Sequence, residues 1–161
     1  MADSGSEIES GGAGTAPRRR AMSALAAADG KFLADAWETL ATKPDWSWLR
    51  RPESGLVMVR GRIGGAGSPF NLGEVTVTRC AVSIDSGEAG FSWIMGRDAA
   101  KARLAALFDA MWQAPERRDE IEARVVGPAL AAQAAADRTA AEETAATRVD
   151  FFTMVRGEDE Q

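Results

Sequence analysis

Between residues 55 and 95 three short runs alternate apolar with polar side chains, and Gly, Pro, Asn, Asp and Ser separate them. Side chains two apart share a face of a strand, so the pattern specifies an antiparallel meander with one face to bury. Three strands with an open apolar side do not stand alone in water, so helices must close over them. In the first run Val57, Val59 and Ile63 share one face, while Leu56, Met58, Arg60 and Arg62 share the other. Burying the first set is expected to stabilise by roughly 1.5–3 kcal/mol per side chain. The second set turns from apolar to basic and reads as half covered. The second run changes phase: Val75 and Val77 share a face, then Cys80, Val82 and Ile84 take the opposite parity. An inserted residue near Arg79 would restore register, so a bulge or sharp bend is expected there. The third run places Phe91, Trp93 and Met95 on one face.

Helices are expected on both sides of this meander in the chain. Residues 1–16 hold Gly, Ser, Ala and acids with only Ile8 of any bulk, too little apolar surface to offset ordering entropy, and are expected to be disordered. Pro17, Arg18, Arg19 and Arg20 open a helical pattern; cations at a helix start oppose the macrodipole, which points to an acidic partner nearby. Phe32, Leu33, Ala36, Trp37 and Leu40 then mark a second helix, closed by Pro44. Asp98 is placed to cap a third, whose stripe is Leu104, Leu107, Phe108, Met111 and Trp112 before Pro115. From 129 to 146 ten of eighteen residues are alanine, which favours helix but offers little to bury. The fold class read from this is α+β: an antiparallel meander of three or slightly more strands, helices on one face, N-terminal helices, and a C-terminal helix with an apolar tail. The expected organisation is one domain over 17–157, with a partner-docking segment at 147–157 and an acidic tip at 158–161.

What the chain lacks narrows its chemistry. It contains no histidine and one cysteine, Cys80, so it cannot supply a histidine base, an iron–sulfur ligand set or a cysteine zinc site. No catalytic residue and no metal site are therefore assigned. With a net charge of −5 it does not resemble a nucleic-acid binder, and no apolar run reaches the length of a membrane span. Its N-terminus lacks the layout of a secretory signal, and one cysteine suits a reducing cytoplasm.

Two groups of residues remain as candidate sites. Gly64, Gly65 and Gly67 form either a plain hairpin connection or a nest of backbone N–H groups for an anion, with Arg60, Arg62, Arg79 and Arg97 near enough to add positive charge. No Gly-Lys-Ser/Thr follows and no βαβ unit surrounds it, so neither nucleotide fingerprint applies. Arg97 beside Asp98 is either a cation at a helix N-terminus or a neighbour of an ordinary cap. The second group is apolar. Trp46 and Trp48 suit a core or an interface, and a small core favours the interface. After the alanine helix, Arg148, Asp150, Phe151, Phe152, Met154 and Arg156 lie in a dense apolar terminal segment, whose expected destination is a groove on another molecule.

Several of these stretches match a known pattern. Glu53-Ser54-Gly55-Leu56-Val57, Gly64-Gly65-x-Gly67, Gly73-x-x-x-x-Thr78-Arg79, Ser92-Trp93-x-x-Gly96-Arg97-Asp98 and above all Arg148-Val149-Asp150-Phe151-Phe152-Thr153-Met154-Val155-Arg156-Gly157 resemble the PhnG family. These are the G subunits of bacterial carbon–phosphorus lyase core complexes. The likeness runs from about residue 20 to 157. It implies a cytoplasmic subunit of phosphonate catabolism, with the H, I and J subunits as partners and the I subunit foremost. In that family the G, H and I subunits support displacement of adenine from ATP by methylphosphonate, giving α-D-ribose 1-methylphosphonate 5-triphosphate. The J subunit, with S-adenosylmethionine and an iron–sulfur cluster, later cuts the carbon–phosphorus bond. The resemblance assigns the nucleosidase chemistry to the I subunit, and no catalytic residue or cofactor to the G subunit.

Overall fold

The structure, a computed structural model, describes residues 12–63 and 67–147. In chain order these form α1 (Gly12–Ala27), α2 (Gly30–Glu38), β1 (Trp46–Arg62), β2 (Pro69–Ile84), β3 (Ala89–Met95), α3 (Ala99–Gln113), α4 (Pro115–Ile121), a π-helical turn (Glu122–Val126) and α5 (Gly127–Ala146). The strands make one antiparallel sheet in the order β1-β2-β3, the meander that the alternating runs specify. Residues 1–11, the expected docking segment after Thr147 and the acidic tip lie outside the described residues. Helix α1 begins at Gly12, ahead of the boundary expected at Pro17.

Helix α3 is the centre of the molecule. Asp98 caps it, Oδ1 accepting from the Lys101 amide at 2.8 Å. Every residue from Leu104 to Trp112 is buried, so the expected stripe is in fact a helix covered all round. One side of it lies on β2 and β3, and the others meet α1, α2 and α4. The elements that meet it do so with small residues: Ala21 and Ala24 of α1 are fully buried, and Gly90 of β3 stands against Ala106 and Ala110. Short side chains let backbones approach closely. On α2, capped by Asp29 Oδ1 at 3.0 Å from the Phe32 amide, Trp37 meets Phe108 edge-on with ring centroids 6.0 Å apart. Pro115 opens α4 at its first position, where its missing N–H costs nothing.

The structure corrects the facing of the strands. Thr78 pairs with Ile94, Cys80 with Ser92 and Val82 with Gly90, and these are the residues turned towards α3. Phe91, Trp93 and Met95 point the other way and are exposed. Val57 and Ile63, expected in the core, are exposed as well. The physical reason is the close approach of α3, which admits only small or slender side chains on the inner face of β3. The bulge expected in β2 near Arg79 is also corrected: β2 passes Arg79 in unbroken register with β3. The register shifts lie in its pairing with β1, at Trp48/Arg50, Arg50/Glu53 and Val59/Arg60. β2 changes apolar phase because it leaves the helical layer. From Thr78 onward its inner face meets α3, whereas residues 69–76 run beyond the end of β3 with little cover.

Cys80 sits on the inner face, 3% exposed, and burial pushes its thiol up to about 11 although Arg103 acts the other way. The ordinary value is 9.0, so between pH 9 and about 11 the unfolded chain loses this proton first. Stability is therefore unaffected by this group below pH 9 and falls as pH rises through that window. A thiol reagent at pH 8 should leave the native protein unlabelled and react at once in urea. Equal rates in the two states would contradict the burial.

Candidate functional site

The outer face of the sheet, away from α3, is the feature with functional content. Strand pairing fixes which side chains share it: Gly55, Val77 and Met95 in one row, Glu53, Arg79 and Trp93 in the next, Arg50, Ala81 and Phe91 after that. Alternation along β1 and β2 adds Val57, Val59 and Val75. A Cβ on Gly61 would run into Leu72 and approach Phe70, so these two side chains lie over the same face. Trp93 is 52% exposed and Met95 73%. An uncovered apolar run of this kind is the sort of patch that a partner covers.

A single charged group interrupts it. Glu53 accepts from Arg50 at 2.5 Å and from Arg79 at 2.6 Å, and the Arg79 guanidinium lies 5.6 Å from the centroid of the Trp93 ring. The hydrogen bond from Arg50, then that from Arg79, holds the Glu53 carboxyl below the usual carboxylate range. Glu53, Arg79 and Trp93 with Ser54, Leu56 and Val77 border a shallow cavity of about 250 Å³. On the opposite face of β2, turned towards α3, is Thr78, 1% exposed, whose hydroxyl donates to the Gly96 carbonyl at 2.7 Å. That leaves it to accept from the Asp98 amide at 3.3 Å and from the Ser54 hydroxyl at 3.0 Å. One hydroxyl thus joins β1, β2 and the β3–α3 turn, where Gly96 takes the left-handed φ of +86°.

Around the edge of β3 the outer face runs into a groove of about 550 Å³ against α1, lined among others by Arg18, Arg19, Met22, Leu25, Phe91 and Trp93. Arg18 is held there by Asp109 of α3, Nε at 3.1 Å and a terminal nitrogen at 2.7 Å. The same carboxylate accepts from the Phe91 amide at 2.9 Å. Arg20 pairs with Glu122, which also accepts from the indole N–H of Trp112 at 2.7 Å. The acidic partners that the arginine run calls for thus lie within this chain, at Asp109 and Glu122. Among the described residues no three His, Cys, Asp or Glu side chains come together as a metal site, and no helix is long and apolar enough to cross a membrane.

Residues 16–157 match the family model described as phosphonate metabolism protein PhnG. Over 149 residues the chain is 54% identical to the alpha-D-ribose 1-methylphosphonate 5-triphosphate synthase subunit PhnG of Rhizobium meliloti (strain 1021), an alignment covering 91% of this chain and 94% of that one. This chain belongs to the PhnG family. The match includes the terminal block from Arg148 to Gly157 and leaves out the first fifteen residues.

In this PhnG family member no hydrogen bond joins Gly67, Arg79 and Arg97, the phosphate candidates among the described residues, to one another. Arg79 is committed to Glu53, and Arg97 lies past the end of β3, beyond the turn at Gly96. Gly67 donates its N–H to the Ile63 carbonyl at 2.9 Å and its own carbonyl accepts from Arg62 at 3.2 Å, which is hairpin closure. Gly64 and Gly65 lie outside the described residues, as do Arg148, Asp150, Phe151, Phe152, Met154 and Arg156. Trp46 and Trp48 open β1 and meet edge to face at 4.7 Å, half-buried against the chain's own core. Sequence reasoning did not single out Asp109. Its signal was present: one carboxylate inside an otherwise apolar nine-residue run, Leu104 to Trp112.

Proposed function

We propose that this protein is a non-catalytic subunit of a ribose 1-methylphosphonate 5-triphosphate synthase, acting in the cytoplasm within a carbon–phosphorus lyase assembly. Its work is to hold and shape its neighbours, the I subunit first and the H and J subunits around it. The uncovered apolar outer face of the sheet carries this reading. A chain without histidine, with its one thiol buried, has little to offer glycosyl transfer, and that surface is what it has to offer instead. ATP, S-adenosylmethionine and the iron–sulfur cluster are then handled by other subunits. The terminal segment with Phe151, Phe152 and Met154 serves as a second anchor, reaching the I subunit from the end of α5.

Co-expression with the other synthase polypeptides tests both contacts. Truncation after Ala146 should remove most of the co-purifying I subunit, and full-strength association of the truncated chain would defeat the anchor. On the outer face, Trp93→Ser with Met95→Ser should weaken association by about 2 kcal/mol or more, roughly thirtyfold. Both side chains are exposed, so the melting temperature of the isolated chain should barely move. Unchanged affinity in this variant would remove the outer face from the interface. The reading of Arg79 and Arg97 as a phosphate site is not favoured, because Glu53 already neutralises Arg79.

A further inference from the structure

Beyond the end of β3 the β1–β2 hairpin continues as a two-stranded arm, residues 56–62 paired with 69–76. A two-stranded hairpin with no layer behind it is marginal in water. This one is apolar on both faces: Val57, Val59, Val75 and Leu72 on one, Leu56 and Met58 on the other, with Leu56 and Leu72 each 63% exposed. A flat partner could cover only one of these faces. A cleft covers both.

The charge of the arm states the chemistry of that cleft. The arm carries two arginines, Arg60 and Arg62, against one glutamate, Glu74, in a chain whose acids outnumber its bases 24 to 19. Among the described residues Arg60 and Arg62 make no ion pair, and both are exposed. Two copies of such an arm laid together would oppose like charges, which disfavours a second copy of this chain as the occupant. We infer that the arm inserts into an apolar cleft with an acidic rim on another polypeptide of the synthase, so that the body of this subunit stays outside while its hairpin is buried. This rests on the reading of the chain as a synthase subunit and adds the element that is inserted and the character of the surface that receives it.

Hydrogen exchange and variant binding decide it, using the full-length chain alone and in the assembly. In the isolated chain, amides of residues 56–62 and 69–76 should exchange quickly, and in the assembly at least about tenfold more slowly. Arg60→Glu with Arg62→Glu should weaken association about tenfold or more at low salt and flatten its salt dependence. Leu56→Ser with Met58→Ser should weaken it at every salt concentration, and neither pair should shift the melting of the lone chain. Arm amides that stay fast in an assembly containing this chain would overturn the insertion and leave the subunit role standing. Concentration-dependent protection in the isolated chain would make a second copy the occupant. Protection already present in the isolated full-length chain and lost on truncation after Ala146 would assign the arm to the chain's own terminal segment. A wild-type chain that joins none of the other synthase polypeptides would end both readings.

Discussion

Replacing Gly90 with alanine should leave the protein unable to hold its fold at 37 °C. A Cβ at this position would stand 1.9 Å from the Ala106 carbonyl oxygen and 2.6 Å from the Ala110 amide nitrogen. Both are backbone atoms inside a hydrogen-bonded helix, so no rotamer change relieves the clash. Helix α3 and β3 must separate, and the layer holding Ile94, Phe108 and Met111 opens with them. Overpacking where a side chain can yield costs about 1–3 kcal/mol, and a clash fixed in backbone should exceed that. Against a total stability of roughly 5–15 kcal/mol this takes most of the margin. Gly55→Ala is the matched control, since a Cβ there meets nothing within 4 Å. Urea unfolding of the two variants should separate them widely. A Gly90→Ala midpoint close to that of Gly55→Ala would show that α3 does not sit where the structure places it.

Asp109→Ala should be nearly as damaging, by about 3–5 kcal/mol, because it strands what the carboxylate satisfies. Arg18 would keep a half-buried guanidinium without its partner, and the Phe91 amide would lose its acceptor at 2.9 Å. The converse change, Arg18→Met, leaves a buried carboxylate facing one amide and Gln113, and should also cost several kcal/mol on the same grounds. The pair exists to pin α1 across the edge of β3, so the two losses are not independent. Arg18→Met combined with Asp109→Leu should be less harmful than the sum of the single changes, since apolar groups of similar size then meet each other. Strict additivity in that cycle would rule out direct coupling. Loss of the pin should also loosen the groove between α1 and β3, because Arg18 is part of its wall.

These two positions show where sequence reading reaches its limit. The cap at Asp98, the break at Pro115, the three-strand meander and the helix after it are local in origin. Each depends on residues within a turn or a strand of one another, so spacing alone exposes them. Which face of a strand is buried is not local. In β3 the larger side chains, Phe91, Trp93 and Met95, follow the rule for a core face and yet lie outside, while Gly90, Ser92 and Ile94 lie inside. Hydrophobicity measures the benefit of burial and carries no record of how much room a neighbouring helix leaves. The expected bulge at Arg79 failed for a related reason. Alternation was taken to serve one core, but β2 passes from a covered sheet into an uncovered arm, and its apolar residues serve two different surfaces.

The sequence by itself determined the class of fold, the family, and the absence of histidine and of a cysteine cluster, and with them the kinds of chemistry this chain cannot perform alone. Only the tertiary structure decided that Asp109 and Arg18 meet across ninety-one positions, that the aromatic face of the sheet is the uncovered one, and that a hairpin runs past the helical layer with apolar side chains on both faces. The division has one physical cause. Propensity and absent reactive groups belong to single residues or short stretches, whereas burial and pairing belong to the space that several distant segments leave between them.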